Sequence, residues 1–199
     1  WTVRLLCDHY QVAPVIAKAL ADLAANEAYI EVRKQLASSA KRLPAKDALP
    51  IIRNLLRYDE DAADIHQPLL LWWALEAKSV NTGRDLILDI VLSDDEVWQR
   101  PLMKQHLTER LMKRYALAGS REELLAAAEL LGKAPDKETT GLLLKGFEDA
   151  YKGRSLAGIP DELVNAIAAT GGGSVALRLR QGDPNAITEA VAAVGNSKE

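Results

Sequence analysis

Apolar residues recur along this chain with helical rather than strand spacing. Val12, Val15, Ile16, Ala19, Leu20 and Leu23 share one helical face, and Pro14 is tolerated in the first turn. A second helix is predicted over about Ala28–Arg42, with Val32, Leu36, Ala40 and Leu43 on one side and Pro44 as its stop. A third runs from Asp47 to Arg57, with Leu49, Ile52, Leu55 and Leu56 on its apolar face and Pro50 read as a first-turn residue. After an acidic loop at Asp59–Ile65 comes Leu69-Leu70-Leu71-Trp72-Trp73-Ala74-Leu75. A helix apolar on all sides needs neighbours on most sides. The helix from Gln67 to Ala77 is therefore expected to be the most buried, with at least one tryptophan ring wholly enclosed.

The second half continues the pattern. A short helix at Arg84–Leu92 turns Leu86, Ile87, Ile90 and Val91 inward, and Ser93-Asp94-Asp95-Glu96 caps the next. That segment runs toward Ala116 and is kinked or split at Pro101. Ser120-Arg121-Glu122-Glu123 is a capping box opening a helix to Gly132. Pro135-Asp136 starts another that ends near Gly153, and Pro160 starts a short one with Leu163, Val164 and Ile167 inside. Gly171-Gly172-Gly173-Ser174 looks like a linker, followed by short helices at Val175–Leu179 and Ala186–Val194. The sum is an all-α chain of about eleven helices, with no period-two run long enough for a strand.

Two phrases repeat. Trp1-Thr2-Val3-Arg4-Leu5-Leu6 matches Tyr29-Ile30-Glu31-Val32-Arg33-Lys34-Gln35-Leu36-Ala37, and the Val-Arg pairs lie 29 residues apart. A Val-Arg pair followed by a small-residue stripe is the phrase of the second helix in a HEAT-type repeat. The fold expected is an α-α superhelix of HEAT-like helical hairpins, a single domain over 1–199 with 174–199 as its terminal repeat. Such solenoids are surfaces for binding more than pockets for chemistry. Arginines in the Val-Arg position, Arg4 and Arg33 here, are expected to tie one repeat to the next through a carboxylate or a helix-end carbonyl.

Composition narrows the function. With 48% hydrophobic residues, 5% aromatics and a formal charge of −3, the chain lacks the excess of Lys and Arg that a broad nucleic-acid footprint needs. Cys7 is the one cysteine, which excludes an internal disulfide. Leu5 and Leu6 beside it suggest a buried thiol. The longest apolar run, Leu69–Leu75, is too short to cross a bilayer. The chain opens on Trp1 inside a helical phrase, which reads as a segment of a longer protein.

Candidate chemistry is sparse. Asp59, Glu60, Asp61, Asp64 and His66 form the densest set of possible ligands. Hard cations favour such carboxylates, but the spacing lacks the central Gly and terminal Glu of a calcium loop. The preferred reading has Asp64 capping the Trp72 helix while the other acids stay in solvent near its N-terminus. Trp72 and Trp73 point about 100° apart on a helix, so one can be core while the other reaches a groove. Arg110, Lys113 and Arg114, with Lys104, form a basic step that reads as a solvated face. Asp59, Asp61, Asp64, His66, Trp72, Trp73, Arg110 and Arg114 are the candidate interaction surface. No catalytic residue, cofactor site or metal site is assigned.

The phrases Trp1–Leu6, Gln35-Leu36-Ala37-Ser38-Ser39-Ala40-Lys41-Arg42-Leu43-Pro44, Asp59-Glu60-Asp61 through His66-Gln67-Pro68-Leu69-Leu70-Leu71-Trp72-Trp73-Ala74-Leu75-Glu76, and Arg110–Tyr115 carry a resemblance. They resemble the HEAT-repeat region of planctomycete-type haem-binding, membrane-bound dehydrogenase-like proteins, over about residues 1–155. In that family a sugar-dehydrogenase-like propeller precedes the repeats and a c-type cytochrome domain with Cys-x-x-Cys-His follows. The resemblance implies a non-catalytic scaffold that links those domains, in a periplasmic or membrane-associated extracytoplasmic setting. Its partners would be proteins or neighbouring domains of the parent chain, not nucleic acid, and this segment itself would not touch the membrane. With a single cysteine the segment has no haem-attachment motif, so no cofactor is assigned to it. The alternative is a HEAT-like nucleic-acid-binding protein or DNA-repair glycosylase using Trp72 and Trp73.

Overall fold

The computed structural model describes residues 1–171, 185–188 and 191. Among these the regular structure is entirely helical, as the apolar periodicity predicts. Residues 185–188 are also helical. The expected helix over 175–179 and most of the expected terminal repeat over 174–199 lie outside the described residues. The chain divides into two compact units, Trp1–Leu111 and Met112–Glu199.

The first unit holds α1 (Thr2–Leu6), α2 (Pro14–Asn26), α3 (Ile30–Ala40) and α4 (Ala45–Leu55). A 3-10 turn (Asp59–Ala63) leads into α5 (Gln67–Glu76) and α6 (Thr82–Leu86), which passes into a π turn at Ile87–Val91. Then come α7 (Asp95–Gln99), a second π turn at Met103–Leu107, and α8 (Thr108–Ala118), within which the first unit ends. Neighbours in space are mostly next-but-one in sequence. α3 packs against α1 and α5, and α5 against the second π turn. α4 packs against α2, α6 and the first π turn. The two sets of helices meet where α3 packs on α4, α4 on α5 and α2 on α3. The core between them is made by Leu36, Leu49, Ile52, Leu55, Leu56, Leu71 and Leu75, all essentially inaccessible.

Local signals explain most boundaries. Pro14 opens α2, where its missing N–H has no intrahelical partner to lose. Asp94 caps α7 by accepting the Val97 N–H at 3.1 Å. Pro101 splits the segment after Gln99, because a proline drives the residue before it out of the α region; Arg100 has φ −62° and ψ 137°.

Three expectations fail. α4 begins at Ala45 and not Asp47, so Pro50 sits inside the helix, beyond the first turn. The inward set of the Arg84–Leu92 segment is Ile87, Leu88, Val91 and Leu92, while Leu86 and Ile90 are only half-buried. The Leu92 N–H bonds the Ile87 carbonyl at 3.0 Å, a five-residue step that rotates the buried face relative to an α-helix. Lastly, neither tryptophan ring of α5 is wholly enclosed. Trp72 is half-buried, Trp73 is 43% exposed and Leu69 39%. Helices cover α5 on the side of Leu71, Ala74 and Leu75 only, and the opposite side stays open. The wholly buried indole is Trp98, on α7, at 1%.

The second unit contains α9 (Arg121–Gly132), α10 (Lys137–Tyr151) and α11 (Asp161–Ala169). Ser120 accepts the Glu123 N–H at 3.3 Å, the serine half of the predicted capping box, and Asp136 caps α10 by accepting the Thr139 N–H at 2.7 Å. α11 packs on α9, burying Leu163, Val164 and Ile167 together with Leu124, Ala127 and Leu130. Arg121 bonds Glu162 at 2.8 Å across the same pair of helices.

Candidate functional site

The acidic turn is a structural tie. Arg33 comes from the first turn of α3 and is 4% exposed. Its Nε donates to Asp61 Oδ2 at 2.8 Å, and its Nη2 to Asp61 Oδ1, a two-pronged pair. Its Nη1 donates to the carbonyls of Glu27 at 3.1 Å and Ala28 at 2.8 Å. The Tyr58 ring lies 4.2 Å from the guanidinium carbon. One side chain thus fastens the α2–α3 loop to the 3-10 turn through both kinds of partner foreseen for it. Arg4 does not repeat this role: it is exposed and lies over the Trp1 ring.

A second tie runs in parallel. Lys34 Nζ bonds Glu31 and Asp64, each at 3.0 Å. Asp64 Oδ1 accepts the N–H groups of His66 and Gln67, both at 2.8 Å. It therefore serves the N-terminus of α5, as anticipated. Partial burial pushes the Asp64 carboxyl up, but those two N–H groups and the Lys34 ammonium outweigh it and hold the group at about 2.

The turn's remaining residues diverge. Asp61 is buried, not solvated as foreseen. Asp59 faces Arg100 at 3.5 Å, and His66 is exposed. Among the described residues no group of three or more His, Cys, Asp or Glu side chains is placed to hold a metal ion.

Trp73 has a different setting. It borders an open groove together with Leu70, Tyr10, Ser38, Lys41 and Arg42. Lys41 Nζ lies 5.7 Å from the Trp73 ring centre, within cation–π range. Arg42 is held by Asp8 at 2.5 Å. Tyr10 is 65% exposed and adopts φ +60°, a left-handed conformation that points to local strain. Beneath this rim Lys78 Nζ donates to the Lys41 carbonyl at 2.7 Å, closing the end of α3; burial pushes the Lys78 ammonium down. Cys7 is fully buried, and burial raises its thiol.

Of the basic step, Arg110 is exposed, Arg114 is half-buried and Lys113 pairs with Asp149 at 3.4 Å. Sequence reasoning found Trp73 but not its companions Tyr10 and Lys41. They lie on α1's trailing loop and at the end of α3, and no spacing rule joins them to α5.

No protein-family model, curated protein or solved structure matches this chain.

Proposed function

We propose that the first unit is a non-catalytic helical-repeat interaction module whose docking face is the Trp73 groove. The observation that carries this is an exposed indole and an exposed phenol flanking one groove, with a lysine on the rim. Aromatic side chains that stay accessible while tied to a rigid frame are the usual anchors of protein interfaces. The frame itself is held by the Arg33 and Lys34 ties, and its next-but-one helix packing is what HEAT-like hairpins would give. On the resemblance noted above, the partner is a neighbouring domain of the parent protein, a dehydrogenase-like propeller or a c-type cytochrome domain, which the module holds in fixed relation. Among the described residues no helix is long and apolar enough to cross a membrane.

The test is to mix the chain with separately produced propeller and cytochrome domains of the parent and measure binding calorimetrically. Binding at micromolar concentration that Trp73→Ala weakens at least about tenfold supports the reading. Binding unaffected by Trp73→Ala and Tyr10→Ala, or none at high micromolar concentration, overturns it.

A further inference from the structure

Elsewhere in the first unit lies a smaller, more enclosed recess. It is a pocket of about 160 Å³ whose walls include Arg53, Arg57 and Arg100, with Asp94 and Glu96. The three arginines are not equally neutralised.

Arg53 bonds Asp94. Asp94 also accepts the Val97 N–H at 3.1 Å as the cap of α7, so its carboxylate is fixed in place. Arg100 meets only distant carboxylates, Asp59 at 3.5 Å and Glu96 at 3.6 Å. Charge-assisted N–H···O bonds are about 2.7–2.9 Å long, so neither contact uses the guanidinium donors well. Both carboxylates are exposed, and pairs of that kind are held weakly and release at little cost. Arg57 forms no ion pair among the described residues. Two positive forks with unused donors therefore line one recess.

We propose that this pocket binds a phosphoryl dianion, either free phosphate or the phosphate of a phosphorylated side chain. Two under-bonded guanidiniums match a charge of about −2 and three acceptor oxygens. Arginine's planar fork suits that geometry better than a point charge would. The volume takes a phosphate group but not a drug-sized ligand, whose pockets begin near about 300 Å³. On binding, Glu96 and Asp59 swing into solvent and the anion takes their place on Arg100.

The experiment is a titration of the whole chain with inorganic phosphate in the millimolar range, at constant ionic strength, followed by amide chemical shifts and thermal melting. Saturable shifts in residues around Arg57 and Arg100 are expected, with a rise in Tm. Arg57→Gln and Arg100→Gln should each weaken binding about tenfold, while circular dichroism stays unchanged. Affinity should rise as pH climbs through about 6, where a phosphoryl group gains its second charge. Acetate should bind more weakly; equal binding of acetate would overturn the dianion assignment. So would the absence of saturable shifts, or shifts that persist unchanged in both variants. A phosphoserine peptide that binds more tightly than phosphate identifies a modified protein as the source. Tighter binding of phosphate itself identifies the free anion.

Discussion

Arg33 and Arg100 are the same side chain in two opposite settings within one unit. Arg33 is 5% exposed along its side chain and Asp61 2%. Its bonds to Asp61 and to the loop carbonyls are no longer than 3.1 Å, and the exposed Glu60 alone stands off, at 3.4 Å. Arg100 is 29% exposed and its carboxylates stand at 3.5 and 3.6 Å. A charge removed from water must be fully bonded or the fold loses several kcal/mol. A charge left at the surface can keep unused donors at almost no cost. Burial therefore separates an arginine that holds the frame from one able to receive a ligand, although both face carboxylates of the same Asp59–Asp61 turn.

Removing Arg33 gives the largest expected effect. Arg33→Ala leaves the Asp61 carboxylate buried and unpaired, and should cost about 3–5 kcal/mol. All four tryptophans lie in the first unit, so indole fluorescence during urea unfolding reports that unit alone. A shift in midpoint below the equivalent of about 1 kcal/mol would mean that water reaches Asp61 and that the contrast with Arg100 is one of distance only. Replacing both partners, Arg33→Met with Asp61→Leu, should recover most of the loss, because no charge then remains to be desolvated.

The same logic sorts the indoles. Trp98→Ala empties a fully enclosed site and should cost about 3–5 kcal/mol. Trp73→Ala removes a ring that is 43% exposed and should cost under about 1 kcal/mol in the same unfolding experiment. Equal losses at the two positions would remove Trp73 from the surface and with it the proposed docking groove.

Sequence periodicity reached the helices because each needs a buried stripe, and caps such as Asp94, Ser120 and Asp136 mark their starts chemically. It misjudged the two α5 indoles because an apolar sequence shows what could be buried, not which side of the helix neighbours arrive to bury. It also missed Trp98, a lone aromatic in a five-residue helix between acidic residues and a proline, where no stripe can be read. The π turn at Ile87–Val91 shifted the buried face by one position, a geometric change that leaves no compositional trace. Of the candidate site, the Arg33 tie was legible through its Val-Arg phrase and the Asp64 cap through its position before α5. The groove and the arginine pocket were not, since each joins residues from separate helices.

Acid should reveal the second tie. The Asp64 carboxyl is held at about 2 against an ordinary value of 3.8. A depressed carboxyl stabilises the fold above its unfolded pKa, and that contribution is lost as pH falls through the folded one. The first unit should thus lose stability between about pH 4 and pH 2, with Asp94 adding in the same sense because Arg53 lowers it. Asp64→Ala should cost about 0.5–2 kcal/mol at neutral pH, the usual range for a lost helix cap. It should also flatten that acid slope. A variant with an unchanged slope would place the acid sensitivity elsewhere.

Arg100→Gln should show the smallest effect on stability, within about 0.5 kcal/mol. The guanidinium gives up two long, solvent-screened ion pairs, and glutamine keeps most of the methylene stem. Neither Asp59 nor Glu96 is stranded by the change, since both are exposed. Unfolding by urea in chloride buffer should give nearly the same midpoint as the parent chain. Repeated with phosphate, the parent should gain stability and the variant should not, because a ligand that binds only the folded state raises its stability in proportion to occupancy. A loss of 2 kcal/mol or more in chloride would show that Arg100 holds the fold as Arg33 does. The distinction between a bonded and an available arginine would then fail at its most direct point.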